Sequence, residues 1–219
     1  MESPVCAAAM TPTDPGAFRV IETFGWDGSR FPRLAAHLAR LAATCARFGI
    51  AFDPMQVLVR LDALPEAVPQ RVRVTVNRGG SVAVTHAVLV PVAGPWRVGM
   101  AAERIWSGDP WLAVKTTERR LYDRVRAGLA AGIDEMLFLN ERGEVCEGTI
   151  TNLFFDAGQG LCTPPLRCGL LPGILRAEVL ATGQCREAVL PGAMPTNVQL
   201  WVGNALRGLI PAVLAKEGQ

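Results

Sequence analysis

The sequence is poor in histidine, and its cysteines lack the spacing of the common metal motifs. Its 219 residues include two histidines, and none of its six cysteines is spaced from another as C-x-x-C. This excludes the common zinc and iron–sulfur motifs, and it favours reduced thiols in a cytoplasm over a disulfide framework. We therefore expect no bound metal. The cysteines are Cys6, Cys45, Cys146, Cys162, Cys168 and Cys185.

A strong charge of either sign and a long apolar run are also missing. The net charge is +2 and the basic residues form no stripe, so we expect no nucleic-acid partner. Proline, glycine or charge interrupts every apolar stretch well before the roughly 18 residues that span a membrane. Residues 1–10 contain Glu2 and no basic start, unlike a secretory signal. Since 50% of the residues are hydrophobic, we expect one large or two small cytoplasmic domains.

Lysine is scarcer than arginine. Of the 22 lysines and arginines, only Lys115 and Lys216 are lysines. Lys216 lies in the polar segment AKEGQ, where a solvated charge is the simplest interpretation, but Lys115 follows an apolar stretch in WLAVKTTERR. A guanidinium stays protonated, whereas a desolvated lysine amine can lose its proton and form a Schiff base. Lys115 is therefore a candidate catalytic residue, and the alternative is that a lone lysine stands there by accident.

Local patterns in the first half predict a small α+β unit. Residues 17–24 are strand-like. Apolar residues at steps of three and four predict a helix over residues 33–48, on which His37 and Arg40 share a face beside the apolar stripe. Alternation on both sides of a turn predicts a hairpin over residues 71–90, with one face toward solvent.

A break of proline and glycine at residues 92–95 marks the boundary between two predicted domains, 1–93 and 94–219. The second is predicted to contain short strands near residues 96–102, 136–140, 144–147, 151–155, 161–163 and 199–202. Helices are predicted over residues 118–131 and 172–182 and, as a last short helix, after Gly203-Asn204-Ala205. Because hairpins join most neighbouring strands, we expect an α+β fold with mainly antiparallel sheets and packed helices.

Several features can act together with Lys115. Glu147 lies in CEGTITNLFF, which is otherwise apolar or uncharged; a buried carboxylate there needs a partner, and the alternative is an edge-strand glutamate facing water. Arg40 is suited to a phosphate, and its alternative is a solvated helix face. Residues 173–175 begin a helix whose free amides can bind an anion, unless it is an ordinary helix start. Residues 203–204 are a weaker phosphate-turn signal.

Pyridoxal phosphate requires this combination of groups. A lysine amine attaches the aldehyde, and a carboxylate opposite the pyridine nitrogen keeps the ring protonated so that it withdraws electrons. Arginine and helix-end amides hold the phosphate.

Five segments resemble the class IV aminotransferase family, in its order and with its spacing. The resemblance runs from about Glu22 to Pro211, and the segments read FPRLAAHLARL, VKTTERRLYDRVR, DEMLFLNERGEVCEGTITNLFF, CGLLPGILRAEVL and LWVGNALRGLIP. The resemblance implies pyridoxal phosphate as cofactor and a small-molecule substrate. It also implies the two-domain architecture of fold type IV, with a barrel-like second domain, and a homodimer with the cofactor between the domains.

The resemblance implies roles for the central residues. Lys115, in a K-T-x-x-R-like segment, corresponds to the Schiff-base lysine, and Arg119 follows four residues later as in many members. Glu147, in E-G-x-x-x-N-L-F, corresponds to the glutamate that faces the pyridine nitrogen. Arg40, in H-x-x-R-L, corresponds to the phosphate-binding arginine.

Further positions concern the phosphate and the substrate. The resemblance implies that the backbone amides of Ile174 and Leu175 bind the phosphate, together with Asn204, which is threonine in branched-chain enzymes and asparagine in lyase-like members. Thr23 matches a position near the reacting carbon. Arg104 is a candidate clamp for a substrate carboxylate, and the alternative is an exposed charge at the end of a strand.

Two reactions of the family are candidates. 4-Amino-4-deoxychorismate lyase, of the folate pathway, releases pyruvate and forms 4-aminobenzoate, whereas a branched-chain or D-amino-acid transaminase passes an amino group to a keto acid. The short chain, Asn204 and the single tyrosine, Tyr122, favour the lyase, because a branched-chain pocket is expected to use several aromatics. A non-catalytic binding module on the same fold is the third hypothesis. The segment TDPGA stands where the family has a glycine-rich segment before its first Glu-Thr pair, in a region that is expected to bind the substrate.

Overall fold

The computed structural model of the protein describes residues 10–14, 16–62 and 68–215. The predicted lack of a targeting segment, the Cys6 thiol and the Lys216 amine concern residues outside this part. Within it, no helix has both the length and the apolar character to cross a membrane. The described chain forms two β-sheets with helices packed against them.

The smaller sheet comprises strands Arg19–Trp26 (β1), Gln70–Asn77 (β2) and Val82–Val88 (β3). They lie in this order, and both neighbouring pairs are antiparallel. On β2 the valines are fully buried and the alternating residues Arg71 and Arg73 are exposed, because successive side chains of a strand point to opposite faces. The predicted hairpin with one solvent-facing side is confirmed.

Two helices cover the buried face of this sheet, α1 over Leu34–Arg47 and α2 over Met55–Leu61. The apolar stripe of α1 packs into a core with β1 and β2, so the helix predicted over residues 33–48 is confirmed. The sequence pattern does not predict α2, because its seven residues are too few to show a clear helical period.

The larger sheet closes into a barrel. Its strands are Trp96–Ile105 (β4), Glu135–Asn140 (β5), Val145–Gly148 (β6), Asn152–Asp156 (β7), Cys162–Thr163 (β8), Arg186–Glu187 (β9), Gln199–Asn204 (β10) and Gly208–Leu214 (β11). The order around the barrel is β10-β11-β4-β5-β6-β7, and pairing of β7 with β10 closes it. Strands β8 and β9 extend the sheet beyond β7. Strand β4 runs parallel to β5 and β11, and β8 to β9, while the other pairs are antiparallel.

Helices α3, Arg120–Ala127, and α4, Ile174–Ala181, pack on the outside of the barrel. Because side chains alternate along a strand, Leu137 joins the apolar barrel interior while the next residue, Phe138, packs on the side of α3. Phe154 of β7 packs in the same way against α4. The expected α+β fold, with mainly antiparallel sheets and a barrel-like second part, is confirmed.

Two helix predictions in the second half are wrong. The helix predicted over residues 118–131 is only α3, because Gly128 ends it by donating its N–H to the carbonyls of Arg124 and Val125. Up to residue 215, where the described chain stops, no helix follows Asn204, whose side-chain oxygen caps a tight turn into β11. Proline is unfavourable in a paired strand, so Pro211 argues against a strand in this segment, and the sequence pattern does not predict β11.

The two sheets meet where β1 contacts the segment before α3. Val20 and Thr116 form an antiparallel bridge, and Ile21 donates its N–H to the Lys115 carbonyl at 2.9 Å. The segment joining β3 to β4 contains residue 93, at which the domain boundary is predicted; the boundary itself stays a prediction. The contact between the sheets places the lysine at their junction.

Candidate active site at the junction of the two sheets

A cavity of about 800 Å³ lies at this junction and gathers most of the predicted site residues. It is lined from the smaller sheet, from helix α1, and from the barrel and its helices. The predicted residues among its lining are Thr23, Arg40, Arg104, Lys115, Glu147, Ile174 and Asn204. Leu175 differs, because its side chain is buried in the cluster with Phe154, so its predicted role concerns only the backbone amide.

Lys115 is held by its backbone and keeps its amine free. Its carbonyl is bonded to β1, and the 3₁₀ turn before it, Pro110–Ala113, is capped by Asp109, which accepts the Trp111 N–H at 2.9 Å. No carboxylate of the described residues forms an ion pair with the amine. Burial lowers the pKa of Lys115 from 10.5 to about 8; the negative charge of Glu22 acts against this, and the positive charges of Arg40 and Arg119 add to it. The amine can therefore exchange a proton near neutral pH.

Glu147 is buried on β6 rather than exposed at a sheet edge. Its Oε1 accepts from the Tyr122 hydroxyl at 2.9 Å, and its Oε2 accepts from the Leu171 N–H at 3.1 Å and the Asn152 amide at 3.4 Å. Burial raises the pKa of Glu147 from 4.5 to about 7, although these donors and the positive charge of Lys115 act against the rise. The hypothesis of a water-facing glutamate is wrong.

A buried carboxylate that the sequence analysis missed holds Arg40 in place. Glu22, 1% exposed, accepts from Arg40 Nε at 2.7 Å and from a terminal guanidinium nitrogen at 2.8 Å. His37 Nδ1 lies 2.7 Å from the same carboxylate. Burial alone would raise the pKa of Glu22, but the hydrogen bonds from His37 and Arg40 hold it below its ordinary value. The signal was present, since Glu22 shares a strand face with buried Val20.

The same network reaches the start of α4. Arg40 donates to the Pro172 carbonyl at 3.0 Å, just before Gly173 at the N-cap. A side chain at Gly173 would collide with Oδ1 of Asn152, so only glycine fits there. In the described part of the chain, the amides of Ile174 and Leu175 have no acceptor, and no side chain caps the helix. This end can therefore bind an anion.

Asn204 and Arg104 are more constrained than Thr23. The Asn204 amide donates to the Ile150 carbonyl at 3.2 Å, while its oxygen accepts from the Leu206 and Arg207 N–H groups. Arg104 is exposed at the outer edge of the cavity and donates to the Asn140 carbonyl at 2.9 Å, which agrees with the alternative of a strand-end charge. Thr23 projects into the cavity from β1. The predicted roles of these residues stay predictions.

Several further arginines line the cavity. Arg71 and Arg73 come from β2, and the others are Arg119, Arg126 and Arg207. Burial and then the neighbouring Arg119 lower the pKa of Arg73, and burial and Arg126 lower that of Arg207. Arg71 and Arg73 form no ion pair with any described carboxylate. The exposed positions of β2 were the signal for this cluster.

These residues fit pyridoxal phosphate. An amine with a lowered pKa and a buried carboxylate line one cavity. Arg40 reaches the Pro172 carbonyl just before α4, and the first amides of α4 carry no side-chain cap, so both supply the donors and the positive charge that a phosphate needs.

The chain is similar to known proteins in sequence and in fold. The family model "Amino-transferase class IV" matches residues 19–214. A solved structure from Mesorhizobium loti, titled a "putative amino-acid aminotransferase", is 41% identical with a TM-score of 0.85 and covers 90% of this chain and 100% of that one. A "putative aminodeoxychorismate lyase" of Schizosaccharomyces pombe is 28% identical over 77% of this chain and 75% of its own length. The 4-amino-4-deoxychorismate lyase structure from Pseudomonas aeruginosa, 22% identical, shares the fold with a TM-score of 0.74 over 90% of this chain and 82% of that one.

Proposed function

The chain belongs to the class IV aminotransferase family of pyridoxal phosphate enzymes, and we propose that it is a 4-amino-4-deoxychorismate lyase. The reaction cleaves one substrate into pyruvate and 4-aminobenzoate and needs no second substrate. Each product has one carboxylate, so the substrate carries two. The observation that supports the proposal is the cluster of arginines that lines the same cavity as Lys115 and Glu147, because its charge matches a dianion.

We assign each residue a role in the reaction from its position in the cavity. Pyridoxal phosphate, when bound, supplies the electron sink for bond cleavage. Lys115 Nζ would hold it covalently and would move a proton to and from the substrate, a task suited to a pKa near 8. Glu147 would hold the proton on the pyridine nitrogen. Arg40, the amides of Ile174 and Leu175, and Asn204 are proposed to hold the phosphate.

Substrate is proposed to bind on the side of the smaller sheet. Arg71 and Arg73 attract its carboxylates, while Thr23 lies near the reacting carbon. Arg104 is a second-choice carboxylate partner, because it is exposed at the outer edge and already donates to a backbone carbonyl. The Lys115 side chain is half-buried in the cavity, and the surrounding protein strengthens electrostatic contacts with its amine.

An amino-acid transaminase, of branched-chain or D-amino-acid type, is the second candidate. The observation in its favour is the 41% identity to a protein titled an aminotransferase. The same lysine and carboxylate serve both reactions. A non-catalytic binding module is disfavoured by the retained Lys115 and Glu147, and a protein that takes up no cofactor would support it.

The reaction is tested with two mixtures. Purified protein with pyridoxal phosphate is incubated with aminodeoxychorismate and no keto acid, and separately with amino acids and 2-oxoglutarate. The proposal expects pyruvate and 4-aminobenzoate in the first mixture, and glutamate in the second would select the transaminase. Lys115→Ala should lower the rate by about 10²-fold or more. Arg97→Ala, which alters an exposed arginine outside the cavity, is the matched control.

We also propose a cytoplasmic homodimer. The described cysteines are free and buried, which suits a reducing compartment. The dimer follows from the family resemblance. Light scattering of the protein as it elutes from a size-exclusion column measures its mass, and a monomer would contradict this part of the proposal.

A further inference from the structure

We infer that Tyr122 is a positioning residue that keeps the Glu147 carboxylate ionised and fixed in orientation. The inference rests on the proposed function, in which Glu147 faces the pyridine nitrogen, and it assigns a role to the single tyrosine of the chain.

The two oxygens of Glu147 are held unequally. Oε2 accepts from the Leu171 N–H and more weakly from the Asn152 amide, at 3.1 and 3.4 Å. Oε1 accepts from the Tyr122 hydroxyl at 2.9 Å, and within the described residues this is its one protein donor. Loss of the hydroxyl therefore leaves Oε1 without a partner and the carboxylate fixed at one oxygen only.

Tyr122 is itself firmly placed. It lies on α3, is 9% exposed, and its ring centre is 4.8 Å from that of Phe138. The Arg119 guanidinium lies 5.5 Å from the ring centre. Burial raises the pKa of Tyr122, so the hydroxyl keeps its proton and acts toward Glu147 as a donor. A donor of this kind stabilises the ionised carboxylate and not its acid form.

This donor matters because Glu147 titrates close to neutrality. Burial raises its pKa to about 7, while the Leu171 and Tyr122 hydrogen bonds and the positive charges of Lys115 and Arg119 lower it. The neighbouring thiol of Cys146 is uncharged, since burial raises its pKa. Removing one donor from this balance shifts Glu147 toward its acid form, which cannot hold a proton on the pyridine nitrogen.

The test is Tyr122→Phe, which keeps the ring and deletes the hydroxyl. The full chain is labelled with ¹³C at glutamate side-chain carboxyls and titrated by NMR before cofactor is added; Glu147→Gln assigns the resonance. We expect the Glu147 midpoint to rise by about one pH unit. With cofactor bound, the acidic limb of the kcat–pH profile should move upward in the same way.

Thr163→Val is the matched control, because Thr163 is also a buried hydroxyl but donates to the Leu153 carbonyl of β7 and not to Glu147. This variant should leave the titration midpoint of Glu147 unchanged, even if it lowers the free energy of unfolding as much as Tyr122→Phe does. An unchanged midpoint in Tyr122→Phe, or an equal shift in Thr163→Val, would overturn the inference. Failure of the proposed function is distinguishable, since it would abolish 4-aminobenzoate formation by the unaltered protein and leave the NMR result intact.

Discussion

Burial moves the pKa values of Lys115 and Glu147 toward each other at the residue scale. The amine falls from 10.5 to about 8 and the carboxyl rises from 4.5 to about 7. Each group loses hydration that would favour its charged form. Both groups therefore titrate near neutral pH. In this range the proposed reaction needs the lysine to release its proton and the carboxylate to keep a proton on the pyridine nitrogen.

The raised pKa of Glu147 predicts a pH-dependent stability of the cofactor-free protein. Between pH 4.5 and 7 the folded state keeps a proton that the unfolded chain releases, so the free energy of unfolding falls as pH rises. This contribution is about 3 kcal/mol and should vanish in Glu147→Gln. Urea unfolding at several pH values measures it, and the same pH slope in both proteins would disprove the assignment.

Arg73 should determine substrate affinity. It is exposed toward the cavity mouth and free of an ion pair, so its charge is available to a carboxylate. We predict that Arg73→Ala raises KM about 10- to 100-fold with a smaller change in kcat. Steady-state kinetics on aminodeoxychorismate provide the measurement, with Arg97→Ala as control. An unaltered KM would remove Arg73 from the substrate site.

Glu135 organises the cavity at the scale of secondary-structure elements. This fully buried carboxylate accepts from the Thr149 and Ile150 N–H groups at 2.9 and 3.0 Å and from both threonine hydroxyls of the β6–β7 turn. A side chain at Gly148 would collide with it. The turn then presents the Thr149 carbonyl to Arg119 and the Ile150 carbonyl to Asn204.

Glu135→Gln should destabilise the protein by about 2–3 kcal/mol, because an amide nitrogen would face buried donors. Glu103→Gln, at an exposed ion pair with Arg124, should change stability by less than about 1 kcal/mol. Chemical unfolding compares the two variants. Similar small losses in both would mean that the turn does not depend on Glu135.

Sequence alone predicts the elements whose periodicity is local. Helix α1 follows from a helical pattern and the β2–β3 hairpin from an alternating one. Lys115 stands out because lysine is scarce in the sequence. Strand β11 does not, because Pro211 lies in it. Glu22, Tyr122 and Glu135 were missed because their roles arise from partners brought together by the fold, such as Tyr122 with Glu147, 25 residues apart.

At the scale of the whole molecule, the site exists only where the two sheets meet. Lys115 is bonded to β1, Arg40 of α1 reaches the start of α4, and Arg33 pairs with Glu178 and donates to the Ala205 carbonyl at 3.3 Å. A ligand in the cavity therefore contacts both halves and should stabilise them together.

Pyridoxal phosphate should accordingly raise the unfolding temperature by roughly 5–10 °C at a hundredfold excess over its Kd. In Lys115→Ala the increase should be smaller, because only the non-covalent contacts remain. Scanning calorimetry with and without cofactor measures both values. A chain whose midpoint does not respond to the cofactor would not bind it in this cavity.

Covalent attachment to Lys115 can be measured directly. Borohydride reduction of the protein with pyridoxal phosphate, followed by proteolysis and mass spectrometry, reports which lysine carries the cofactor, and the chain offers only Lys115 and Lys216. The account predicts a pyridoxyl phosphate adduct on Lys115 alone. An adduct only on Lys216, or none on either lysine, would contradict it.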